Sequence, residues 1–354
     1  MSDRVRLFIG RYTQDDPSPQ PAPGITVAEF DPEALAIEPL GGGDLPEASF
    51  LELGPAGDVL YAVQEDEHDG QVAAFSIDAG TSALTFLDKQ PTHGGLPCHI
   101  LVEPGGSYVL SANYGTGNVA VHPIESDGSL GASSDVSQHQ GSGPNSERQA
   151  GPHAHMVAAA PDAQVVLSVD LGTDSVYAYS LDALSGRLTL IAQNRMRPGS
   201  GPRHLVFHPS GEHFYLANEL GNSVSVCAYD AATGSAKELA EIPAVPDPKG
   251  GENAPGGILL SADGRFLYVS NRGDESISVF EVRDGGSRLE PVGRWSCEGS
   301  WPRDIAFSPD GRFLFVANQR SHNVAVLRVD GAGGALSATG LSYQVRNVAR
   351  VLIG

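Results

Sequence analysis

The feature that most constrains this chain is a turn that returns about every fifty residues, because self-similarity at that period means a ring or stack of like units rather than one irregular core. The turn reads Pro55-Ala56-Gly57, Pro104-Gly105-Gly106, Pro161-Asp162, Pro209-Ser210-Gly211, Ala262-Asp263-Gly264 and Pro309-Asp310-Gly311, in steps of 49, 57, 48, 53 and 47 residues. One full unit runs from Pro202 to Phe207, through the turn to Phe214–Asn218, then Ser223–Tyr229 and a last segment near Glu238. Segments such as Phe266–Ser270 and Phe313–Ala317 are short, β-branched and aromatic, with no helical period, so each unit reads as four strands. A seventh unit is split between the two ends. Ala349 to Ile353 matches a first strand, while Val5 to Gly10, Gly24 to Phe30 and Ile37 to Leu40 supply the other three. The expectation is an all-β, seven-bladed propeller of four-stranded antiparallel blades, one domain over residues 1–354, with its last blade closed by N-terminal strands plus a C-terminal strand. A lone sheet of this kind buries little; radial packing covers both its faces and leaves short edges. The 43 glycines and 25 prolines suit many tight turns.

Charge and cysteines bound the function. Asp plus Glu total 43 against 22 Lys plus Arg, a formal charge of −21, and such a field repels nucleic acid and anionic membranes. A local cationic pocket remains compatible with it, since salt screens exposed charges beyond about 8 Å. Cys98, Cys227 and Cys297 are odd in number, far apart and without a CxxC pair, which argues against a disulfide framework and for a reducing compartment. Neither a secretory leader nor a membrane span is apparent, and a cytoplasmic monomer is expected. The histidines and carboxylates show no HExxH or EF-hand spacing, so no metal and no cofactor is expected.

Two stretches break the repeat: Gln14 to Pro23, polar and proline-rich, and Gln138 to Gly151, rich in Ser, Gly and Gln. Both read as long surface loops. The second precedes His153-Ala154-His155, so it is either a loop bordering a pocket or a solvated insertion.

Equivalent positions of a propeller form rings around its channel, and two columns are polar yet differ from blade to blade. After each second strand come Gly10-Arg11, Gln64-Glu65, Asn113-Tyr114, Val169-Asp170, Asn218-Glu219, Asn271-Arg272 and Asn318-Gln319. Opening each first strand are Ser49, Cys98, His155, Arg203, Gly256 and Arg303, with Arg350 close by in the seventh unit. The recurring asparagines suit turn backbone. The irregular members, His155, Arg203, Glu219, Arg272 and Arg303, fall on four consecutive blades and would gather an imidazole, a carboxylate and three guanidiniums on one side of the mouth. Guanidinium forks bind carboxylate or phosphate, and a nearby His or Glu moves a proton. Strand alternation sets His204 on the face opposite Arg203, a packing role, and leaves His153 and His208 to packing or turn contacts.

The run Gly201-Pro202-Arg203-His204-Leu205-Val206-Phe207-His208-Pro209, followed by Ala217-Asn218-Glu219-Leu220, closely resembles the seven-bladed lactonase family of cycloisomerase-type 6-phosphogluconolactonase and carboxy-muconate lactonizing enzyme. Ile9-Gly10-Arg11-Tyr12-Thr13 is similar to the family's opening, with Arg11 in place of Thr. The polar columns offer Arg303, Asn113, Asn218, Asn271 and Gln319 as substrate-binding candidates, with Lys249 and Arg320 as further candidate contacts. The resemblance implies a catalytic set of His155, Arg203, Glu219 and Arg272. It also implies hydrolysis of a small anionic sugar lactone, foremost 6-phospho-D-glucono-1,5-lactone. A muconate-type lactonizing cycloisomerase and a non-catalytic scaffold stand as alternatives. Which of His155 and Glu219 is the base stays open.

Overall fold

The repeated turns bend the chain back in one way, and a left-handed residue explains it. In the computed structural model, which describes residues 4–14, 16, 22–161, 163 and 165–354, the third turn residue donates its amide to the carbonyl three positions back, as Gly57 does to Gly54 and Gly211 to His208. Gly57, Gly106, Gly211, Gly264 and Gly311 have φ between +69° and +73°, where a Cβ is unfavourable. Ala163 takes the place in the third blade at φ +57°; Asp162 of that turn lies outside the described residues, as do residues 15 and 17–21 of the first loop and the first three residues of the chain.

Each unit then forms a four-stranded antiparallel sheet, seven in all. The fourth blade, for example, pairs Pro202–Phe207, His213–Asn218, Ser223–Asp230 and Ser235–Pro243 in sequence order. The second strands are almost wholly buried, while fourth strands such as Ser235–Pro243 are largely exposed at the rim. The seventh blade joins Val348–Ile353 to Val5–Arg11, with Val351 opposite Ile9, so the two ends of the chain close the ring as the split repeat predicts. First strands of neighbouring blades touch in an unbroken circuit around the axis.

Seven apolar clusters sit between the blades, one at each junction. Between the sixth and seventh, Phe30 meets the edges of Phe313 and Phe315 at 5.1 Å each, the geometry aromatic quadrupoles prefer. Burying an aromatic or branched side chain there contributes about 1.5–3 kcal/mol, so the ring rests on many equivalent junctions.

One device positions the site. In the ladder between first and second strands the register slips between Pro97 and His99, Ala154 and Met156, Pro202 and His204, Pro255 and Ile258, and Pro302 and Asp304. These are β-bulges, which re-aim side chains. The residues left out are Cys98, His155, Arg203, Gly256 with Gly257, and Arg303; in the seventh blade it is Ala349, between Val348 and Arg350.

Candidate active site

Because the bulge adds a residue, Arg203 and His204 both reach the channel, and the expected alternation fails there. The His204 ring lies 5.2 Å from that of His155, 5.4 Å from His99 and 6.2 Å from Phe50, side chains of three other blades, which only an axial position allows. Arg350 likewise belongs one step below the bulged ring, where its guanidinium grips both oxygens of Asp304 at 3.1 and 3.2 Å and lies over Phe50.

The second column forms the mouth. Asn218 ends its strand by donating to the hydroxyls of Ser223 and Ser225 on the next strand, and Asn271 does the same to Ser276 and Ser278. Asn113 and Asn318 donate instead to the carbonyls of Thr92 and Cys297 in the preceding blade. All four are fully buried. Their amide NH2 groups serve blade architecture, while Oδ1 of Asn113, Asn218 and Asn318 has no hydrogen-bond partner among the described residues. The third blade corrects a register: Asp170 opposes Ser175 as Asn218 opposes Ser223, so Asp170 is the asparagine equivalent and the buried Leu171 takes the mouth position. Gln319, in the sixth blade, stays partly exposed at the mouth.

Glu219 is the hub. Its Oε2 accepts from Arg272 at 2.6 Å and lies 3.3 Å from Nε of Arg203, close enough for an ion pair though not aligned as a hydrogen bond. Its Oε1 accepts from Arg148 at 2.8 Å. Arg272 also donates to the carbonyls of Ala254 and Pro255, and Arg203 to that of Gly256. Burial resists ionisation of Glu219, but Arg272 and the other guanidiniums outweigh it and hold the carboxyl well below its usual range. Burial, then Arg272 and Arg303, pull Arg203 down to about 9, the mark of a cation short of counter-charge.

His155 is buried, with Nδ1 3.6 Å from the Cys98 sulfur and its ring edge-on to Tyr114 at 5.5 Å. Burial, then Arg203, holds it well below the ordinary histidine range, so it stays neutral near pH 7 and the anionic form of Glu219 rests on the arginines. Burial likewise pushes the Cys98 thiol up, leaving that neighbour uncharged. Arg303 meets the Tyr12 hydroxyl at 2.5 Å, and Tyr12 donates to Glu65 at 2.7 Å. A small cavity touching Ser49, Cys98, Arg203, His204, Arg303 and Asp304 continues the site into the channel.

The structure thus brings together His155, Arg203, Glu219, Arg272 and Arg303. It adds Arg148, Tyr12 and Glu65, and Trp301, whose ring lies under Arg320 at 3.4 Å and beside Arg272 at 5.7 Å. Arg148 comes from the 138–151 loop, which reaches the candidate site through its contact with Glu219; its sequence signal is the interruption of the repeat. Lys249 is exposed, and Arg11 spends its donors on Asp16 and on the carbonyls of Ala22, Pro23 and Arg346. Among the described residues no group of three or more His, Cys, Asp or Glu is placed to hold a metal ion, and no helix is long and apolar enough to cross a membrane.

The sequence and the fold are similar to those of known proteins. The chain is 38% identical to the 6-phosphogluconolactonase of Bacillus subtilis, over 84% of this chain and 83% of that one. It is 32% identical to the 6-phosphogluconolactonase of Formosa agariphila, over 85% of each. Among solved structures, the periplasmic gluconolactonase of Pseudomonas aeruginosa superposes with a TM-score of 0.91 at 32% identity, covering 99% of both chains. The model of the family described as lactonase, seven-bladed β-propeller, matches residues 6–353. With matching blades, matching extent and relatives above 30% identity, the chain belongs to the seven-bladed β-propeller lactonase family.

Proposed function

We propose that this protein hydrolyses 6-phospho-D-glucono-1,5-lactone to 6-phosphogluconate, the lactone step of the pentose phosphate pathway, acting as a cytoplasmic monomer. The observation that carries the reading is a buried His155 beside guanidiniums that, among the described residues, share one carboxylate, Glu219, already clamped between them. The named relatives support a sugar lactone as substrate and lend nothing to the muconate cycloisomerase or the scaffold.

The geometry supports a division of roles. Both oxygens of Glu219 are engaged by arginines and its carboxyl is strongly acidic, so it is a poor base and acts by fixing Arg203 and Arg272. His155 is the base. Water adds to the lactone carbonyl as His155 takes its proton, Arg203 with Arg303 stabilises the oxyanion, and the ring C–O bond breaks with the proton returned to the departing oxygen. Gln319 lines the mouth for the sugar hydroxyls.

The test is the hydrolysis rate of freshly generated 6-phosphogluconolactone, above its spontaneous rate, for wild type, Arg203→Ala and His155→Ala. We expect strong wild-type acceleration, lowered by about 10²–10⁴-fold in each variant. A folded wild type without acceleration refutes the assignment; a fully active His155→Ala refutes the base.

A further inference from the structure

Of the guanidiniums around Glu219, one is unlike the rest. Arg203 and Arg272 are buried, their side chains only 4% and 6% exposed: Arg272 donates to Glu219 and to the carbonyls of Ala254 and Pro255, and Arg203 donates to the carbonyl of Gly256 with its Nε 3.3 Å from Glu219. Arg148 is 43% exposed. Only its Nη2 is engaged, donating to Glu219 at 2.8 Å and to the Tyr114 hydroxyl at 3.1 Å; among the described residues its Nε and Nη1 have no partner.

The place it fills is also singular. The third blade puts Leu171, buried and apolar, where the fourth puts Glu219 and the fifth Arg272. The 138–151 loop crosses this blade and bridges from Tyr114 of the second to Glu219 of the fourth. The loop is anchored by a neighbour, since buried Gln149 donates to the carbonyl of Leu171 at 2.8 Å and to Asp174 at 2.7 Å, and Asn145 caps the amides of Glu147 and Arg148. An interruption of the repeat therefore delivers a rigidly based cation to the one blade that lacks a polar mouth residue.

We propose that Arg148 holds the phosphoryl group of the substrate and sets the preference for a phosphorylated over an unphosphorylated sugar lactone; this rests on the lactonase reading above. The lactone carbonyl belongs beside His155 and Arg203, deep in the channel. A phosphate dianion is costly to strip of water, so it belongs at the rim, where the exposed Arg148 guanidinium offers its free Nη1 hydrogens to a phosphoryl oxygen while Nη2 keeps Glu219.

The experiment compares kcat and KM on 6-phosphogluconolactone and on gluconolactone for wild type, Arg148→Ala, Arg148→Lys and Arg320→Ala, the last removing the other rim arginine. For Arg148→Ala we expect kcat/KM on the phosphorylated lactone to fall about tenfold, mainly through KM, with less than about a threefold fall on the other, the scale of one charge-assisted contact. Arg148→Lys should recover part of the preference, and Arg320→Ala should leave it as in wild type. A parallel fall on both substrates would mean that Arg148 acts only through Glu219, and either that result, an unchanged ratio, or a loss of preference in Arg320→Ala overturns the proposal. Wild type inactive on both lactones would remove the lactonase reading itself, a different outcome from an active wild type whose ratio ignores Arg148.

Discussion

The two ends of the same strands behave differently. At the turn end the blades repeat one another: a left-handed third residue and its amide bond recur, and in two blades a Ser-Asp pair caps the bend, Ser261 with Asp263 and Ser308 with Asp310. At the mouth end the bulged position carries Cys98, His155, Arg203, Gly256 and Arg303 in successive blades. Packing constrains both ends alike, and at the turn end it yields uniformity. The irregular, charged and buried character of the mouth therefore has a cause other than packing, and the convergence on Glu219 supplies it.

That contrast can be broken first at the hub. Glu219→Gln leaves Arg203 and Arg272 buried without their counter-charge, and opening a buried pair costs about 3–5 kcal/mol. We expect a loss of that size in urea unfolding together with loss of lactonase activity; a stability change within about 0.5 kcal/mol, the usual range for surface sites, would mean that the cluster is held by its surroundings instead.

Acid sharpens the same contrast. His99, His155 and His204 are all held well below the ordinary histidine range, by burial first and then by Arg350 or Arg203. The unfolded chain binds protons near pH 6.5 while these folded rings do not, so stability is complete above that pH and declines below it, by roughly 1.4 kcal/mol per pH unit for each ring that stays neutral. Urea midpoints at pH 7.5 and 5.5 should differ accordingly. Replacing His208, near the turn end and partly exposed, whose ring is also held below the ordinary range by burial though less far, should remove only a small part of that pH dependence.

The smallest effect belongs to the turn end. Gly311→Ala meets no atom within 4 Å and suffers only from its φ of +69°, so about 1 kcal/mol of stability should be lost with kcat unchanged. Ala163 at the same turn position in the third blade shows that the place tolerates a Cβ. A fall in kcat would show that the two ends are coupled.

Most of the architecture was legible in the sequence because the repeat exposes strand, turn and closure together, and the split seventh unit needed only the match of Ala349–Ile353 to a first strand. The catalytic candidates were legible for a related reason: His155, Arg203, Glu219 and Arg272 vary where a scaffold would not. Three things were hidden. A bulge adds one residue without disturbing the apolar pattern, so His204 looked like a packing residue when it lines the channel. A one-residue slip misplaced Asp170 because Val169 resembles a strand end. Arg148 lies in a segment with no counterpart in other blades, and nothing in a column can locate a residue that belongs to none.

The closure of the ring has a consequence in time. Strand Val5–Arg11 emerges from the ribosome among the first and finds its partner Val348–Ile353 among the last, with the pairing of Val351 and Ile9 spanning nearly the whole chain. At the ordinary pace of synthesis the interval is roughly 15–60 s. Throughout it the first sheet presents an open ladder of amides and carbonyls, the surface by which nascent chains find one another. The first strands to be made are thus among the last to be secured, and they are the part of this molecule most in need of shelter while it is being born.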